Sequence, residues 1–241
     1  RAVAPPGNES DRFAIPNDGA VASQTFEHYA IVGTTEVGMD KMAARASALE
    51  ARDRIAAEER AEKCGSICSE LASILDDALR SYENVTGEPG VCYHQKPFAV
   101  ALYQSMKSEV SIDRFIETVY DRGLSACFPC MMRPSPTSEG KGPTMVFREV
   151  SREQYELGGV AFLDRPLRSF DTDDPDISPF PAVDPPLLDM VVVPLVAFDS
   201  KNSRLGYGGG NYDKFLPNLR DNAIVVGVAF EEQRIDEVPC D

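Results

Sequence analysis

The 241-residue sequence predicts an α/β domain built on parallel strands, and three observations lead there. Residues 98–103, a helical segment after Ser111 and residues 124–128 follow one another as strand, helix and strand. Residues 190–198 and 222–230 are near-continuous Val-rich runs, as expected of strands buried on both faces. Between those two runs lies a glycine-rich turn from a strand into a helix.

In chain order, residues 1–39 carry Pro5, Pro6, Gly7, Asn17 and Gly19 among scattered apolar positions and read as a flexible N-terminal tail or linker. Asp40 can cap a helix, and Ile67, Leu71, Ile74, Leu75 and Ala78 then recur at helical spacing, so 41–80 reads as two helices or one long broken one. Gly87, Pro89 and Gly90 make 83–95 a loop. Residues 98–103 are a short apolar strand. Ser111 caps a helix carrying Ile112, Phe115, Ile116, Val119 and Tyr120, Gly123 closes it, and 124–128 return as a second strand. Such a unit has parallel strands and a right-handed crossover, which puts functional loops at the strand C-terminal ends. Residues 144–148 form a further candidate strand, and the Asp- and Pro-rich stretch 169–186 reads as an extended surface loop.

Composition excludes several functions. Lys and Arg number 24 against 39 Asp and Glu, a formal net charge of −15. A general nucleic-acid coat needs a basic field, so an anionic ligand must meet a local cluster of cations here. The longest apolar stretch, 190–198, is broken by Pro194 and falls well below the ~20 residues of a membrane-spanning helix. Cys64, Cys68, Cys92, Cys127, Cys130 and Cys240 suit a reducing cytoplasm better than a disulfide framework, so the expected location is cytoplasmic. Cys127-Phe-Pro-Cys130 and the helical pair Cys64/Cys68 have no recognised zinc spacing and read as buried, inert thiols. His28 and His94 offer little to a metal site or triad, and the Asp-rich run at 171–176 lacks EF-hand spacing.

The most informative segment is 199–216. Gly206, Gly208, Gly209 and Gly210 remove side chains from a turn leading into a helix near Asn211, so backbone N–H groups can approach an anion. No Gly-Lys-Ser/Thr follows, so the loop is not a Walker A motif, and Asn211 stands at the third glycine position of the dinucleotide fingerprint. On the glycines alone, a flexible turn is an equal alternative. Arg204 adds a planar, permanently charged fork for phosphate oxygens, and Asp213 a hard oxygen ligand suited to Mg²⁺.

The run Arg204-Leu-Gly-Tyr-Gly-Gly-Gly-Asn-Tyr-Asp213, preceded by Asp189-Met-Val-Val-Val-Pro-Leu-Val-Ala-Phe-Asp199, resembles the 5-formyltetrahydrofolate cyclo-ligase family, also called 5,10-methenyltetrahydrofolate synthetases. Lys41-Met-Ala-Ala-Arg45 is similar to the family's opening Lys-x-x-x-Arg. Spacing of four puts both cations on one helix face, which by itself reads sooner as a solvated face; the order of the resembling motifs is what favours a shared polyanion. Val100-Ala-Leu-Tyr-Gln-Ser-Met-Lys-Ser-Glu109 resembles the family's strand and short loop ending in Glu; by itself Glu109 reads sooner as an exposed residue ahead of a helix. Cys127-Phe-Pro129 and Met145-Val-Phe147 complete a resemblance running in order over 40–241. Asn211 stands where the family has a tyrosine and Ala44 where it has a leucine. The family continues into a second Mg²⁺-binding Asp and a final strand, so the domain 40–241 is expected to lack its last strand.

The resemblance implies a three-layer α/β/α domain with a mostly parallel, Rossmann-like sheet. It implies ATP-dependent cyclisation of 5-formyltetrahydrofolate to 5,10-methenyltetrahydrofolate, with release of ADP and phosphate. Lys41, Arg45 and Arg204 would then serve phosphoryl transfer. Those three, with Leu205, Gly206, Tyr207, Gly208, Gly209, Gly210, Asn211 and Tyr212, would bind ATP. Arg45, Gln104, Glu109, Tyr207, Gly208, Gly209, Gly210 and Asn211 would bind the folate, with Glu109 on the pterin edge, and Asp213 would bind Mg²⁺. The implied partners are 5-formyltetrahydrofolate and ATP, with no nucleic acid and no membrane, acting on a monomer. One alternative is a non-catalytic folate- or nucleotide-binding protein of the same fold; another is an α/β enzyme of phosphosugars or CoA esters.

Overall fold

A computed structural model describes residues 21–24, 40–86, 97–134 and 142–239. The chain opens with β1 (Val21–Gln24), followed by α1 (Lys41–Asp53) and α2 (Ala57–Thr86). The Asp40 carboxylate accepts the Met42 N–H at 3.3 Å, the expected cap. The helices part at Ile55, which is buried, and the Arg60 guanidinium donates to the Ile55 carbonyl at 2.9 Å, so the break needs neither Gly nor Pro. Helix α2 extends through Thr86 into the stretch expected as a loop; 87–96 lie outside the described residues.

β2 (Ala99–Ala101), α3 (Asp113–Asp121) and β3 (Ser125–Met132) form the expected crossover, with β2 and β3 parallel. Ile112, not Ser111, occupies the N-cap of α3 and makes no side-chain cap bond. At the other end Gly123 takes φ +66, and the Gly123 and Leu124 N–H groups donate to the carbonyls of Tyr120 and Val119. β4 (Thr144–Glu149) runs antiparallel to β3. α4 (Arg152–Leu157), closed by a Ser151–Gln154 capping box, and α5 (Ala161–Asp164) follow.

The stretch 169–186 is more ordered than an extended surface loop. It contains β5 (Ser169–Phe170), parallel to β3, and β6 (Ala182–Val183), antiparallel to β4. Its anchors are the buried side chains of Phe170 and Ile177 and the buried Arg148, which donates to the carbonyls of Phe180 (2.6 Å) and Ile177 (3.3 Å).

The run expected as one strand over 190–198 divides into β7 (Met190–Pro194) and β8 (Ala197–Phe198). Beyond Pro194 the Leu195 N–H still reaches Val228, but the Val196 N–H turns to Leu205, so β8 pairs with β9 (Arg204–Leu205) in a separate ribbon. α6 (Asn211–Phe215) and β10 (Ile224–Val228) complete the order. The main sheet runs β1-β10-β7-β2-β3-β4-β6, with β10, β7, β2 and β3 mutually parallel and antiparallel strands outside them. Within the stretch expected as a tail, Val21–Gln24 is thus a strand beside β10; the rest of 1–39 lies outside the described residues, as do His28, Cys92, His94 and Cys240.

Strand side chains alternate between two apolar layers. On one face Val100, Phe128, Val192 and Val226 pack under Ile67, Leu71 and Leu75 of α2 and Phe115, Ile116 and Val119 of α3. On the other, Ala101, Val191, Val193 and Val225 join Phe147 and Phe215. A third cluster sets Ala44 and Ala48 of α1 on Val196, Ala197 and Leu205, which fixes α1 over the ribbon that follows the C-terminal end of β7. Cys64, Cys68, Cys127 and Cys130 are buried and free, and burial pushes each thiol pKa up. Among the described residues no helix is long and apolar enough to cross a membrane.

Candidate active site

A cavity of about 810 Å³ opens between α1, the turn after β2 and the segment from Arg204 to Asp213. It lies at the strand C-terminal ends, where the crossover topology directs ligands. Lys41, Arg45, Gln104, Glu109 and every residue from Arg204 to Asp213 line it, so all the sequence-derived site residues meet in one space.

Helix α1 supplies one wall. Its buried Ala44 and Ala48 seat the helix, and Lys41 and Arg45 turn into the cavity. Arg45 Nε donates to the Gly206 carbonyl at 2.8 Å, tying the glycine loop to the helix. The loop uses its glycines. Gly208 has φ +100 and Gly210 φ +64, and a Cβ at Gly208 would lie 3.5 Å from Arg45 Cζ. Gly210 is the N-cap of α6, and Asn211 is the first helical residue. That helix is only five residues long, so an anion bound there would rest on loop amides and neighbouring cations rather than on a helix dipole.

Arg204, the expected phosphate fork, and Asp213, the expected metal ligand, are bonded to each other at 2.5 Å. The Arg204 side chain is 22% exposed and that of Asp213 69%. Among the described residues no three His, Cys, Asp or Glu side chains gather as a metal cluster. The accessible Asp213 carboxylate at the cavity suits Mg²⁺, an ion that keeps several waters and takes substrate phosphates as its other ligands.

The opposite wall presents Glu109. It is only 6% exposed, and its Oε2 accepts the Met106 N–H at 2.7 Å, so it is not an exposed residue ahead of a helix. A buried carboxylate with one amide bond retains acceptor capacity for a ligand's N–H groups. Burial pushes the Tyr207 hydroxyl pKa up to about 12; Arg52 lowers it and Glu109 raises it, so the phenol stays protonated at neutral pH. Burial likewise raises the pKa of Tyr212.

Sequence reasoning missed Arg52. It is 4% exposed, lines the cavity, and donates to Ser108 Oγ (3.0 Å) and the Tyr207 hydroxyl (2.7 Å). The sequence offered only a spacing cue, since Arg52 lies seven residues, two helical turns, beyond Arg45. Also missed was an apolar wall from Pro129, Met131, Met145, Phe162, Leu163 and Leu167, for which the sequence held no periodic cue. The cavity therefore joins a cationic, amide-rich side to an apolar side with one buried carboxylate, suiting a polyanion and a flat polar ring held together.

The family model described as the 5-formyltetrahydrofolate cyclo-ligase family matches residues 37–241. A 5-formyltetrahydrofolate cyclo-ligase of Haemophilus influenzae is 44% identical over 55 residues, a match spanning 22% of this chain and 29% of that protein. One from Mycoplasma pneumoniae is 24% identical over 199 residues, 82% of this chain and 90% of that protein. A solved 5,10-methenyltetrahydrofolate synthetase from Mycoplasma pneumoniae shares the fold with a TM-score of 0.54 at 23% identity, covering 84% of this chain and 92% of that one.

Proposed function

The chain belongs to the 5-formyltetrahydrofolate cyclo-ligase family, and on that premise we propose that it closes 5-formyltetrahydrofolate to 5,10-methenyltetrahydrofolate at the expense of ATP, releasing ADP and phosphate. The observation that carries this reading is the convergence of Lys41, Arg45, Gln104, Glu109 and the Arg204–Asp213 segment on one cavity. In the proposed reaction the formyl oxygen takes the γ-phosphoryl group and ADP departs. N10 then attacks the formyl carbon, losing its proton, and the former formyl oxygen leaves with phosphate.

Such chemistry needs positioning and charge neutralisation more than an acid/base pair. Lys41, Arg45, Arg204 and the loop amides would hold the triphosphate, with Leu205 and Tyr212 beside it. Glu109 and Gln104 would fix the pterin edge, while Tyr207 to Asn211 touch both ligands. Asp213 would hold Mg²⁺, which when bound offsets charge on the phosphoryl oxygens. A cytoplasmic setting suits the four free, buried thiols among the described residues, and we take the working unit to be a monomer.

The test is the rise in methenyltetrahydrofolate absorbance when purified protein meets 5-formyltetrahydrofolate. We expect a rise that requires MgATP and is lost in Asp213→Ala. Binding of both ligands without any rise would replace the ligase with a non-catalytic binder, the alternative that the Asn211 substitution favours.

A further inference from the structure

The cavity holds one buried cation to which the proposed reaction assigns nothing. The Arg52 guanidinium sits between two hydroxyls that belong to different walls of the site. Its Nε donates to Ser108 Oγ at 3.0 Å, and Ser108 in turn donates to the Asp53 carboxylate. Its Nη1 donates to the Tyr207 hydroxyl at 2.7 Å. Ser108 is the residue before Glu109, in a turn closed by the Glu109 N–H on the Met106 carbonyl and the Met106 N–H on the Glu109 carboxylate. Tyr207 is the one side chain longer than hydrogen among residues 206–210. The phenol accepts from Arg52 and keeps its own proton, with the Glu109 carboxylate within reach.

We propose that Arg52 is a positioning residue that locks the glycine loop to the Glu109 turn, so that phosphoryl donor and formyl acceptor are held in register; the proposal rests on the reaction proposed above. A loop of four glycines and one tyrosine cannot hold its own shape, because glycine has the most conformational freedom to lose. Helix α1 restrains it at two points two turns apart: Arg45 on the Gly206 carbonyl and Arg52 on Tyr207. A charge that is 4% exposed needs partners, yet the nearest carboxylate oxygen, on Asp53, lies 3.8 Å away from Nε. Its close bonds go to the two hydroxyls of the turn and the loop, which is the arrangement of a brace rather than of a core ion pair.

The experiment is a double-mutant cycle on kcat with Arg52→Gln and Tyr207→Phe, each variant also melted to record its Tm. Tyr207→Phe removes one oxygen from a half-exposed side chain. If Arg52 acts through Tyr207, each single variant lowers kcat about tenfold or more, and the double variant is no slower than the poorer single. Arg52→Lys keeps the charge but not the fork, so it recovers part of the loss. A purely structural Arg52 would lower Tm in Arg52→Gln and give effects on kcat that multiply in the double variant. Multiplying effects overturn the proposal. Should Arg52→Gln not fold, Ser108→Ala replaces it in the cycle, because Ser108 is the other anchor, and the same non-additivity is expected. Wild-type protein that forms no product with MgATP would overturn the reaction, and this proposal with it; active wild type with multiplicative effects would overturn the brace alone.

Discussion

Replacing Gly208 by alanine isolates what the glycine loop contributes. Its φ of +100 lies beyond the left-handed well near +50 to +70 that L-residues visit, so alanine there is strained. The added Cβ would meet Arg45 Cζ at 3.5 Å, Nη2 at 3.7 Å and Nε at 3.8 Å, all ordinary contacts. The penalty is therefore torsional, about 1–2 kcal/mol, with no clash added. Gly208 and Gly209 are exposed, so the unliganded loop can relax and the urea midpoint should hardly move. On binding, the strained shape must be regained. At about 1.4 kcal/mol per tenfold, the dissociation constant for MgATP should rise about 5- to 30-fold, measured by titration calorimetry. Gly210→Ala should weaken binding less, since φ +64 falls inside the well, and Gly206→Ala least, since its φ is not positive and its Cβ would meet open space. Gly208→Ala with wild-type affinity, or Gly206→Ala as the most damaging of the three, would refute the idea that this backbone shape presents the amides to phosphate.

Asp213→Ala should separate metal from nucleotide. It frees Arg204, so binding of ATP without Mg²⁺ should hold or tighten, while the Mg²⁺ dependence of turnover collapses; unchanged Mg²⁺ dependence would refute the assignment. Arg220→Ala should cost about 3–5 kcal/mol in urea unfolding, because it leaves Asp189, fully buried and otherwise bonded to the Ala99 N–H, without its counter-charge. A loss below about 1 kcal/mol would show that the pair contributes little. Burial opposes ionisation of Asp199, but the amides of Val238, Ser203 and Lys201 outweigh it and hold its pKa below the usual value. A lowered folded-state pKa gives stability that is present above the unfolded value, about 3.9, and lost as pH falls through the lower folded one. Asp199→Asn should flatten that acid limb of the urea midpoint; an unchanged acid profile would sink it.

Much of this architecture was legible because its cues are local. The β2-α3-β3 crossover follows from helical spacing bounded by Gly123, whose φ of +66 only glycine takes readily. The paired helices were visible, but not their junction, since Ile55 and Arg60 break the helix through tertiary burial and a side-chain bond. Pro194 announces an interruption, yet whether the chain stays in the sheet depends on Leu205 being available to accept the Val196 N–H. The loop at 169–186 looked solvated because acidic residues dominate it, and the buried Arg148 that anchors it is distant in sequence. In the site, cations at a spacing of four and a glycine-rich turn could be read directly. Arg52 could not, because the value of a buried arginine depends on Ser108 and Tyr207, from two other parts of the chain.

The pairing of Arg204 with Asp213 bears on why an acidic chain can use a polyanion at all. With a net charge of −15, the long-range field repels ATP, although salt screens that field beyond about 10 Å. On the proposed assignment capture would come from Lys41, Arg45 and Arg204, which line the cavity, at contact distance. Arg204 is already satisfied by Asp213, so a bare triphosphate gains its fork only by displacing a carboxylate and placing two like charges together. A triphosphate that arrived with Mg²⁺ would avoid that conflict, because the cation would take the released Asp213 while the phosphate took Arg204. One ion pair would be exchanged for two, so on the proposed assignment the metal complex is expected to bind better than bare ATP before any chemistry begins.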